Sequence, residues 1–253
     1  MRFVASDLEG TLTVGETWRG VGRYLKRHGR GAGYRAFLLS RLPGVLAAKA
    51  GLADGQAVRD GFIEGMARLF RGMTRAEIER MAEWVAGEEL WPKRREAVLA
   101  ELGVHAESGR RVVIAAGGYQ PVVEAFARRI GAEAVGTPLE FSDGRATGRL
   151  VDSVNTGKAK AERLRELVGA GELHAAYGDT SADIFMLEMS EDPVAVRPDP
   201  RLREEALRRG GGRWGPGKTA KYLQSNTEAP RPLASSRRSK RPALAPPTSR
   251  RSA

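Results

Sequence analysis

The feature that most constrains the fold of this 253-residue chain is a set of short apolar runs, each followed by an acidic residue or glycines. The runs and the residues that follow them are 2–6 with Asp7, 110–116 with Gly117-Gly118, and 174–177 with Gly178-Asp179. Helical patterns separate the runs, and short strands that alternate with helices predict a parallel sheet with helices on both faces. Because the carboxyl ends of parallel strands meet at one edge of a sheet, we expect these residues to line one cleft.

Other segments carry helix and turn signals that complete the same pattern. Apolar residues recur at helical spacing between Pro121 and Gly131 and again over residues 158–169, and a glycine closes each pattern. The remaining predicted elements are strands at 134–135 and 193–196 and a hairpin at 139–151.

Residues 15–90 break the alternation and have a purely helical pattern. Trp18 and Leu25 share one helical face, and Thr74 and Glu77 have the spacing of a capping box. The predicted fold class is therefore α/β, a Rossmann-like parallel sheet with a helical cap inserted after the first strand. The predicted domains are a core of residues 1–14 and 91–223, a cap of residues 15–90, and a disordered basic tail of residues 224–253.

The composition excludes several classes of site. The chain has no cysteine, which excludes disulfides, thiolate zinc sites and cysteine nucleophiles, and its three histidines are far apart in sequence. The longest charge-free run, residues 112–123, has 12 residues, whereas a membrane-spanning helix needs roughly 18. The first strand-like run begins at residue 2, which leaves no room for a signal peptide. We therefore expect a soluble, cytoplasmic protein.

The net charge of +11 is concentrated in two segments. Residues 225–253 carry +6 and have few bulky side chains, which predicts disorder. Residues 17–53 hold eight basic residues and no acidic one. A solvated surface is the favoured interpretation of both segments, and binding to nucleic acid or to an acidic membrane surface is the alternative. One or two cap arginines, with Arg59 and Arg68 as rivals, are candidates to bind a carboxylate or second phosphate of a substrate.

The residue types in the predicted cleft favour phosphoryl chemistry. Clustered carboxylates without histidine or cysteine suit a hard cation such as Mg²⁺, which prefers oxygen ligands. A carboxylate is also a nucleophile toward phosphorus and forms an aspartyl phosphate. A lysine between the second and third strand ends, either Lys158 or Lys160, would supply positive charge to the phosphoryl group.

Taken in chain order, these segments resemble the four motifs of the haloacid dehalogenase superfamily, in its phosphoserine-phosphatase-like branch. The matching residues are Asp7-Leu8-Glu9-Gly10-Thr11, Ala116-Gly117-Gly118-Tyr119, Lys160, and Gly178-Asp179-Thr180-Ser181-Ala182-Asp183. The resemblance spans residues 1 to about 210, and a helical cap after the first motif is typical of that branch. It implies a Mg²⁺-dependent phosphatase that acts on a small phosphorylated substrate, phosphoserine being the default substrate of the branch.

The resemblance also implies roles for the ionisable residues. Asp7 would be the nucleophile and a Mg²⁺ ligand. Glu9 would be the general acid and base, and its backbone carbonyl would face the metal. Lys160 would steady the nucleophile and the phosphate, and Asp179 would bind Mg²⁺. Asp183 would orient Lys160 or a metal-bound water.

Substrate contacts are implied in the same way. Backbone N–H groups of Gly10, Thr11, Gly117 and Gly118 would hold phosphate oxygens. Glu16 corresponds to a glutamate that contacts the substrate amine in the phosphoserine branch.

Three residues depart from the usual family pattern. Glu9 replaces an aspartate, which displaces the carboxyl by about 1 Å, and a misplacement of that size can cost ~10²-fold in rate. Ala116 replaces a serine or threonine whose hydroxyl would donate to the phosphate, a hydrogen bond worth about 1.5–3 kcal/mol. Ala182 replaces an asparagine that is usual in phosphoserine enzymes. A catalytically weakened member of the fold, acting in binding or in phosphotransfer to an acceptor other than water, is therefore the alternative to hydrolysis.

Overall fold

The structure is a computed structural model that describes residues 1–208 and the backbone of residues 221–223. The predicted disordered tail, residues 224–253, lies outside the described residues, as does the binding to nucleic acid or an acidic membrane surface that was the less favoured interpretation of it. Within the described part of the chain, no helix has both the length and the apolar character needed to cross a membrane.

Parallel strands form the centre of the molecule. They are β1 (Arg2–Ser6), β2 (Arg111–Tyr119), β3 (Glu133–Thr137), β6 (Glu172–Gly178), β7 (Asp192–Val196) and β8 (Lys221–Leu223), and an antiparallel hairpin is formed by β4 (Leu139–Ser142) and β5 (Arg145–Leu150). Their spatial order in the sheet is β3-β2-β1-β6-β7-β8. The central strand β1 pairs on both sides, with Val4 opposite Val112 of β2 and Ala175 of β6. The first two apolar runs of the sequence are thus neighbours in space, and the third flanks them.

Helices cover both faces of this sheet. They are α1 (Thr17–Arg27), α2 (Gly31–Lys49), α3 (Gly55–Ala67), α4 (Arg75–Val85), α5 (Glu96–Glu107), α6 (Gln120–Ala127), α7 (Gly157–Val168), α8 (Ile184–Met189) and α9 (Pro200–Arg208). Strand residues alternate between the faces. Val4 and Ile114 are buried with α5 and α6, whereas Ala5 and Val113 are buried with α7, α8 and α9. The predicted α/β sheet with helices on both faces is confirmed.

The helical insertion between β1 and β2 is also confirmed. Helices α1 to α4 lie there, and α4 continues through a π-helical turn (Ala86–Leu90). At its start, Thr74 and Glu77 form both hydrogen bonds of the predicted capping box. The insertion packs on the sheet, since the rings of Phe70 and Tyr119 meet edge to face at 5.0 Å. Insertion and sheet share one buried core, and the exact domain boundaries stay a prediction.

Two local backbone features define the end of β2 and the turn of the hairpin. The strand β2 continues to Tyr119, so Gly117 and Gly118 belong to the end of the strand instead of to a loop that follows it. The predicted hairpin turns at Asp143 and Gly144, whose φ angles of 50° and 74° are those of a tight two-residue turn.

Candidate active site

The carboxyl edge of the sheet brings the sequence motifs together. Asp7 directly follows β1, Gly117 and Gly118 end β2, and Asp179 directly follows β6. Because β1 lies between β2 and β6, these residues are neighbours at one edge. Helix α7 brings Lys160 to the same place from the face of the sheet that α7, α8 and α9 cover.

Lys160 is the centre of a buried network of charges. Its Nζ donates to Oδ1 of Asp7 at 2.6 Å and to Oδ1 of Asp183 at 2.7 Å. Burial alone would lower the pKa of Lys160, but the two carboxylates outweigh it and raise that pKa well above its usual value. Lys158 is exposed, with its ammonium 5.6 Å from the centre of the Phe185 ring. The geometry therefore separates two lysines that sequence spacing left as rivals.

Asp183 is fixed by a full set of hydrogen bonds. Its second oxygen, Oδ2, accepts from the backbone N–H of Asp179 at 3.2 Å, the N–H of Thr180 at 3.1 Å and the Thr180 hydroxyl at 3.1 Å. With Oδ1 occupied by Lys160, both carboxylate oxygens are engaged. This arrangement suits Asp183 for positioning Lys160.

Asp179 lies against the loop that follows β1. The Thr11 hydroxyl donates to Oδ1 of Asp179 at 3.1 Å. A Cβ atom at Gly10 would come within 2.0 Å of Oδ2 of Asp179, and Gly10 has a φ of +92°. Only glycine combines that backbone conformation with so close an approach.

The backbone N–H of Gly10 closes the turn of this loop. It donates to the carbonyl of Thr13 at 2.7 Å. The contact of that N–H with a phosphate oxygen stays a prediction. The Thr11 side chain has a role that sequence reasoning missed, since its hydroxyl holds Asp179.

The acidic cluster fits a divalent cation. One carboxylate oxygen from each of Asp7, Asp179 and Asp183 can be chosen so that all three lie within 4.8 Å of one another. Burial raises the pKa of Asp7 to about 6. The charge of Lys160 opposes this shift, and the charge of Asp183 adds to it. Burial and the charges of Asp7 and Asp183 raise the pKa of Asp179 to about 8. The single lysine therefore leaves the cluster short of positive charge, and its oxygen donors are those that Mg²⁺ prefers.

Glu9 lies at the boundary between this cluster and the insertion. Burial raises its pKa to about 7, although Thr17 of α1 opposes the shift. A Cβ at Gly118 would be 3.6 Å from the Thr17 hydroxyl and 3.8 Å from Oε1 of Glu9, so these three residues are in close proximity. A carboxyl with this pKa exchanges protons near neutral pH. Thr17 directly follows Glu16 in the sequence, and no sequence signal indicated that its side chain acts on Glu9.

An open cavity of about 640 Å³ leads from the acidic cluster to the insertion helices. Asp7, Glu9, Lys160 and Asp179 lie at one end, and Gly117 and Gly118 line the wall. Glu16 also lines it and forms an ion pair with Arg19 on the same helix. Its predicted contact with a substrate amine stays a prediction.

The arginine candidates differ in whether they line this cavity. Arg41 and Arg59 line it. Arg68 lies elsewhere, in a hollow between the end of the insertion and the β4–β5 hairpin, together with Arg71 and Arg145. Of the two rivals named from the sequence, only Arg59 lines this cavity.

Asn155 is a further residue that the sequence motifs did not indicate. It is fully buried just before α7, and its amide donates to the carbonyls of Ala116 at 3.0 Å and Val135 at 2.8 Å. Its backbone N–H donates to the Thr137 hydroxyl at 3.0 Å. Asn155 thereby joins the ends of β2 and β3 to the start of the helix that carries Lys160. A polar residue before a helix gives no sequence signal for such a link.

Comparison with known proteins identifies relatives from several bacteria. The putative hydrolase ML2424 of Mycobacterium leprae is 32% identical over 164 residues, which are 63% of this chain and 52% of that protein. The phosphoserine phosphatase SerB1 of Mycobacterium tuberculosis is 32% identical over 137 residues, 52% of this chain and 43% of that protein. This chain thus spans about half the length of these two relatives. The protein CicA of Caulobacter vibrioides is 35% identical over 201 residues, 75% of this chain and 83% of CicA.

Solved structures share the fold. A protein of unknown function from Bordetella pertussis superposes with a TM-score of 0.71 at 21% identity, over 88% of this chain and 98% of that one. A phosphoserine phosphatase, solved as an analogue of its phospho-aspartyl intermediate, superposes with a TM-score of 0.55 at 18% identity, over 80% of this chain and 90% of that one.

The family assignment rests on most of the chain. Residues 4–188 match the haloacid dehalogenase-like hydrolase family. That range runs from β1 through Asp7, Lys160, Asp179 and Asp183 and includes the whole helical insertion. The resemblance found in the motifs is confirmed: this chain belongs to the haloacid dehalogenase-like hydrolase family.

Proposed function

We propose that this protein is a Mg²⁺-dependent phosphatase that hydrolyses a small phosphomonoester through an aspartyl phosphate on Asp7. The observation that carries the proposal is the Asp7 carboxylate, which is buried, held by Lys160 at 2.6 Å and adjacent to Asp179 at the open edge of the sheet. Family membership supports the reaction type, and the similarity to SerB1 supports a phosphomonoester as substrate.

Asp7, Asp179 and the backbone carbonyl of Glu9 would hold the Mg²⁺ ion. When bound, the ion would supply positive charge to the phosphoryl oxygens and to the crowded carboxylates. Asp183 would act one step away, because both its oxygens already accept hydrogen bonds.

In the first step, Asp7 attacks phosphorus. Its Oδ1 is held by Lys160, which leaves Oδ2 as the attacking oxygen. The new O–P bond forms as the bond from phosphorus to the alcohol oxygen breaks, and Glu9 gives its proton to the leaving alcohol. The pKa of Glu9, about 7, allows a useful fraction of the protonated form at neutral pH.

In the second step, water releases the phosphate. The Glu9 carboxylate takes a proton from the water, whose oxygen bonds to phosphorus as the bond to Asp7 breaks. Asp7 returns as a carboxylate and inorganic phosphate leaves. Lys160 would hold the same Asp7 oxygen throughout, so that the nucleophile does not have to be repositioned between the steps.

The proposal extends to phosphoserine as one candidate substrate. Glu16 lies on the cavity wall, where it would meet a substrate amine, and Arg41 and Arg59 are on the same cavity for a carboxylate. Phosphotransfer to another alcohol is the alternative, which the replacement at Glu9 favours. It is distinguished by whether glycerol added as acceptor becomes phosphorylated.

The test compares Asp7→Asn with the wild-type protein over a panel of phosphomonoesters in Mg²⁺. We expect the variant to lose turnover by about 10⁴-fold or more, as when a covalent nucleophile is removed. Asp143→Asn is the matched control, because Asp143 lies in the exposed hairpin turn and asparagine tolerates its positive φ. Retained Mg²⁺-dependent hydrolysis in Asp7→Asn would contradict the assignment.

A further inference from the structure

The cavity above the acidic cluster has walls that differ from its charged end. Helix α2 contributes Leu38, Leu42 and Val45, and α3 contributes Val58 and Phe62. Residues 38, 42 and 45 recur at helical spacing, so they lie along one side of α2. We call this set, together with Trp18 of α1, the apolar groove. Its carbon-lined surface belongs to the same cavity as Asp7 and Lys160.

The length of the groove matches that of a hydrocarbon chain. From residue 38 to residue 45, α2 rises about 10 Å at 1.5 Å per residue. The Trp18 and Phe62 rings meet edge to face at 6.1 Å, and Phe37 supports Phe62 from behind at 4.9 Å. A linear chain of about eight carbons would cover this length.

Several polar side chains near the groove are engaged with one another, whereas the buried Nε of Arg41, which also lines the cavity, has no hydrogen-bond partner among the described residues. Gln56 donates to Asp60 at 2.8 Å and accepts from Arg59 at 2.8 Å. Thr156 also donates to Asp60, at 3.0 Å. Glu16 is paired with Arg19. A substrate ammonium at Glu16 or a carboxylate at Arg59 would have to compete for these partners, whereas an apolar body would not.

The apolar surface continues out of the groove to the outside of the protein. Leu39, Leu42 and Leu46 are 70%, 50% and 56% exposed and recur at helical spacing on α2. Exposed Arg35 and Lys49 lie on the same helix. These three leucines form an exposed apolar stripe, and exposed apolar patches often mark ligand-binding grooves or interaction surfaces.

We propose that the substrate of this protein is a phosphomonoester whose alcohol carries a long hydrocarbon chain. The inference rests on the phosphatase function proposed above and adds the chemical class of the substrate. The phosphate lies between Lys160 and the metal-binding carboxylates, and the chain lies along the apolar groove and leaves it at Leu42. The protein therefore selects its substrate by buried apolar area more than by charge on the alcohol.

Chain length is the direct test. We would measure kcat/KM in Mg²⁺ for butyl, hexyl and octyl phosphate below their critical micelle concentrations, with phosphoserine beside them. A fully buried methylene raises kcat/KM about fourfold, which corresponds to about 0.8 kcal/mol. Since the groove is open on one side, we expect octyl phosphate to exceed butyl phosphate by roughly 10- to 100-fold.

Groove variants locate the effect. Leu42→Glu places a charge in the groove and is expected to reduce the ratio of octyl to butyl kcat/KM to near one. Leu52→Glu is the matched control, because Leu52 is 83% exposed in the α2–α3 loop and does not line the cavity. It is expected to keep the wild-type ratio. A ratio measured on one preparation does not depend on how much of the variant is folded.

The outcomes separate the two proposals. If no phosphomonoester of the panel is hydrolysed, the proposed function fails. If butyl and octyl phosphate are hydrolysed equally, or phosphoserine is preferred to both, the phosphatase function stands and the chain proposal is overturned. A ratio that Leu52→Glu removes and Leu42→Glu keeps overturns it as well.

The same chemistry can reach the groove from water or from a lipid surface. Dodecyl phosphate supplied as monomers or embedded in phosphatidylcholine vesicles distinguishes these sources. Turnover of either form above that of butyl phosphate supports the chain proposal, and the faster form identifies the source. Turnover of both forms at or below that of butyl phosphate contradicts it.

Discussion

The two ends of the cavity are built in different ways. At the sheet edge, Asp7, Lys160 and Asp183 are buried and joined by charged hydrogen bonds of 2.6 and 2.7 Å. In the apolar groove, Leu38 and Phe62 are only partly buried and touch their neighbours through carbon atoms. The sheet edge fixes the positions of individual atoms, whereas the apolar groove provides apolar surface for contact.

This difference follows from what each end has to bind. Phosphoryl transfer needs the attacking oxygen and the positive charges in place, and an error of about 1 Å can cost ~10²-fold. Apolar burial has no preferred direction and scales with area. We therefore expect substitutions at the sheet edge to cause large losses of turnover. Substitutions in the groove should cause smaller losses that depend on how much apolar area is removed.

After Asp7→Asn, Lys160→Met gives the largest expected effect, because it breaks the network at its centre. Loss of one positive group that acts on the reacting phosphoryl costs about 10²–10³-fold in kcat. Breaking a buried ion pair also destabilises the fold by about 3–5 kcal/mol. Enzyme kinetics and urea unfolding at pH 8 without Mg²⁺ measure the two effects.

Lys158→Met is the matched control for that variant. Lys158 is exposed two residues earlier on the same helix, so its loss should change the free energy of unfolding by about 0.5 kcal/mol or less. Equal effects of the two substitutions would mean that the contacts of Lys160 contribute nothing to stability or catalysis.

Gly10→Ala should rank next. The new Cβ would come within 2.0 Å of Oδ2 of Asp179, so that carboxylate has to move. We expect turnover to fall by about 10²-fold and the affinity for Mg²⁺ to fall with it, as measured by kinetics and calorimetric titration.

The control for Gly10→Ala separates backbone strain from the clash. Gly72 has a similar φ, +83° against +92°, and open space where its Cβ would be. Gly72→Ala therefore has only the backbone cost of about 1–2 kcal/mol and should leave Mg²⁺ binding unchanged. If both variants lose Mg²⁺ affinity equally, strain and not Asp179 is the cause.

The effect of pH on stability should come from the acidic cluster at the sheet edge and not from the apolar groove. The pKa values of Asp7 and Asp179 are raised to about 6 and about 8, so the metal-free folded state binds more protons than the unfolded chain between pH 4 and 8. The contribution of these groups to stability therefore falls as pH rises through that range. Mg²⁺ competes with those protons, so its stabilising effect should grow as pH rises.

Thermal unfolding with and without Mg²⁺ between pH 5 and pH 8 measures this effect. Each tenfold gain in apparent affinity adds about 1.4 kcal/mol at saturating Mg²⁺, or roughly 3–6 °C in Tm for a chain of this size. A Mg²⁺-induced shift in Tm that is the same at both ends of the pH range would contradict the placement of the ion among these carboxylates.

The sheet edge could be predicted from the sequence because chemistry and chain order restrict it. Asp7 and Asp179 each follow a strand, and parallel strands leave few ways to arrange them. What the sequence could not supply was the detail of the hydrogen bonds. The N–H of Gly10 is used within its own turn, and the Thr11 hydroxyl holds Asp179. Such contacts depend on the path of one loop, which no spacing rule fixes.

The groove could not be predicted, for a physical reason. The sequence shows that residues 15–90 are helical, but Leu38 and Phe62 read as ordinary core residues of α2 and α3. Whether an apolar residue faces a core or a cavity depends on how the helices pack, and that is set by contacts far apart in sequence. The eight basic residues of segment 17–53 are easier to see in the sequence, yet of these Arg41 lines the cavity and Arg19 pairs with Glu16 on the cavity wall.

Phe62→Ala tests whether the two ends are independent. The Phe62 ring packs 4.9 Å from Phe37 and 6.1 Å from Trp18, and it is only partly buried. We expect a loss of about 2–3 kcal/mol in the free energy of unfolding, at or below the lower end of the range for a core phenylalanine. The Mg²⁺-induced shift in Tm should stay as in the wild-type protein, because perturbations without shared contacts add. A lost Mg²⁺ shift would show that the groove and the acidic cluster are coupled.

Ala116→Ser should have the smallest effect and is the sharpest probe of the boundary between the two ends. Ala116 is buried on the cavity wall, at the position where the family has a hydroxyl. A serine there gains a donor for a phosphoryl oxygen, so we expect kcat to rise by up to about tenfold or to stay level.

Ala115→Ser completes the test by using the alternation of the strand. Side chains of successive residues in β2 point to opposite faces, and Ala115 lies in the core shared with α7 and α8. A hydroxyl there has no phosphate to reach and should cost about 1–3 kcal/mol of stability with no gain in kcat. A large drop in kcat for Ala116→Ser, or a gain for Ala115→Ser, would mean that the phosphate lies on the other face of β2.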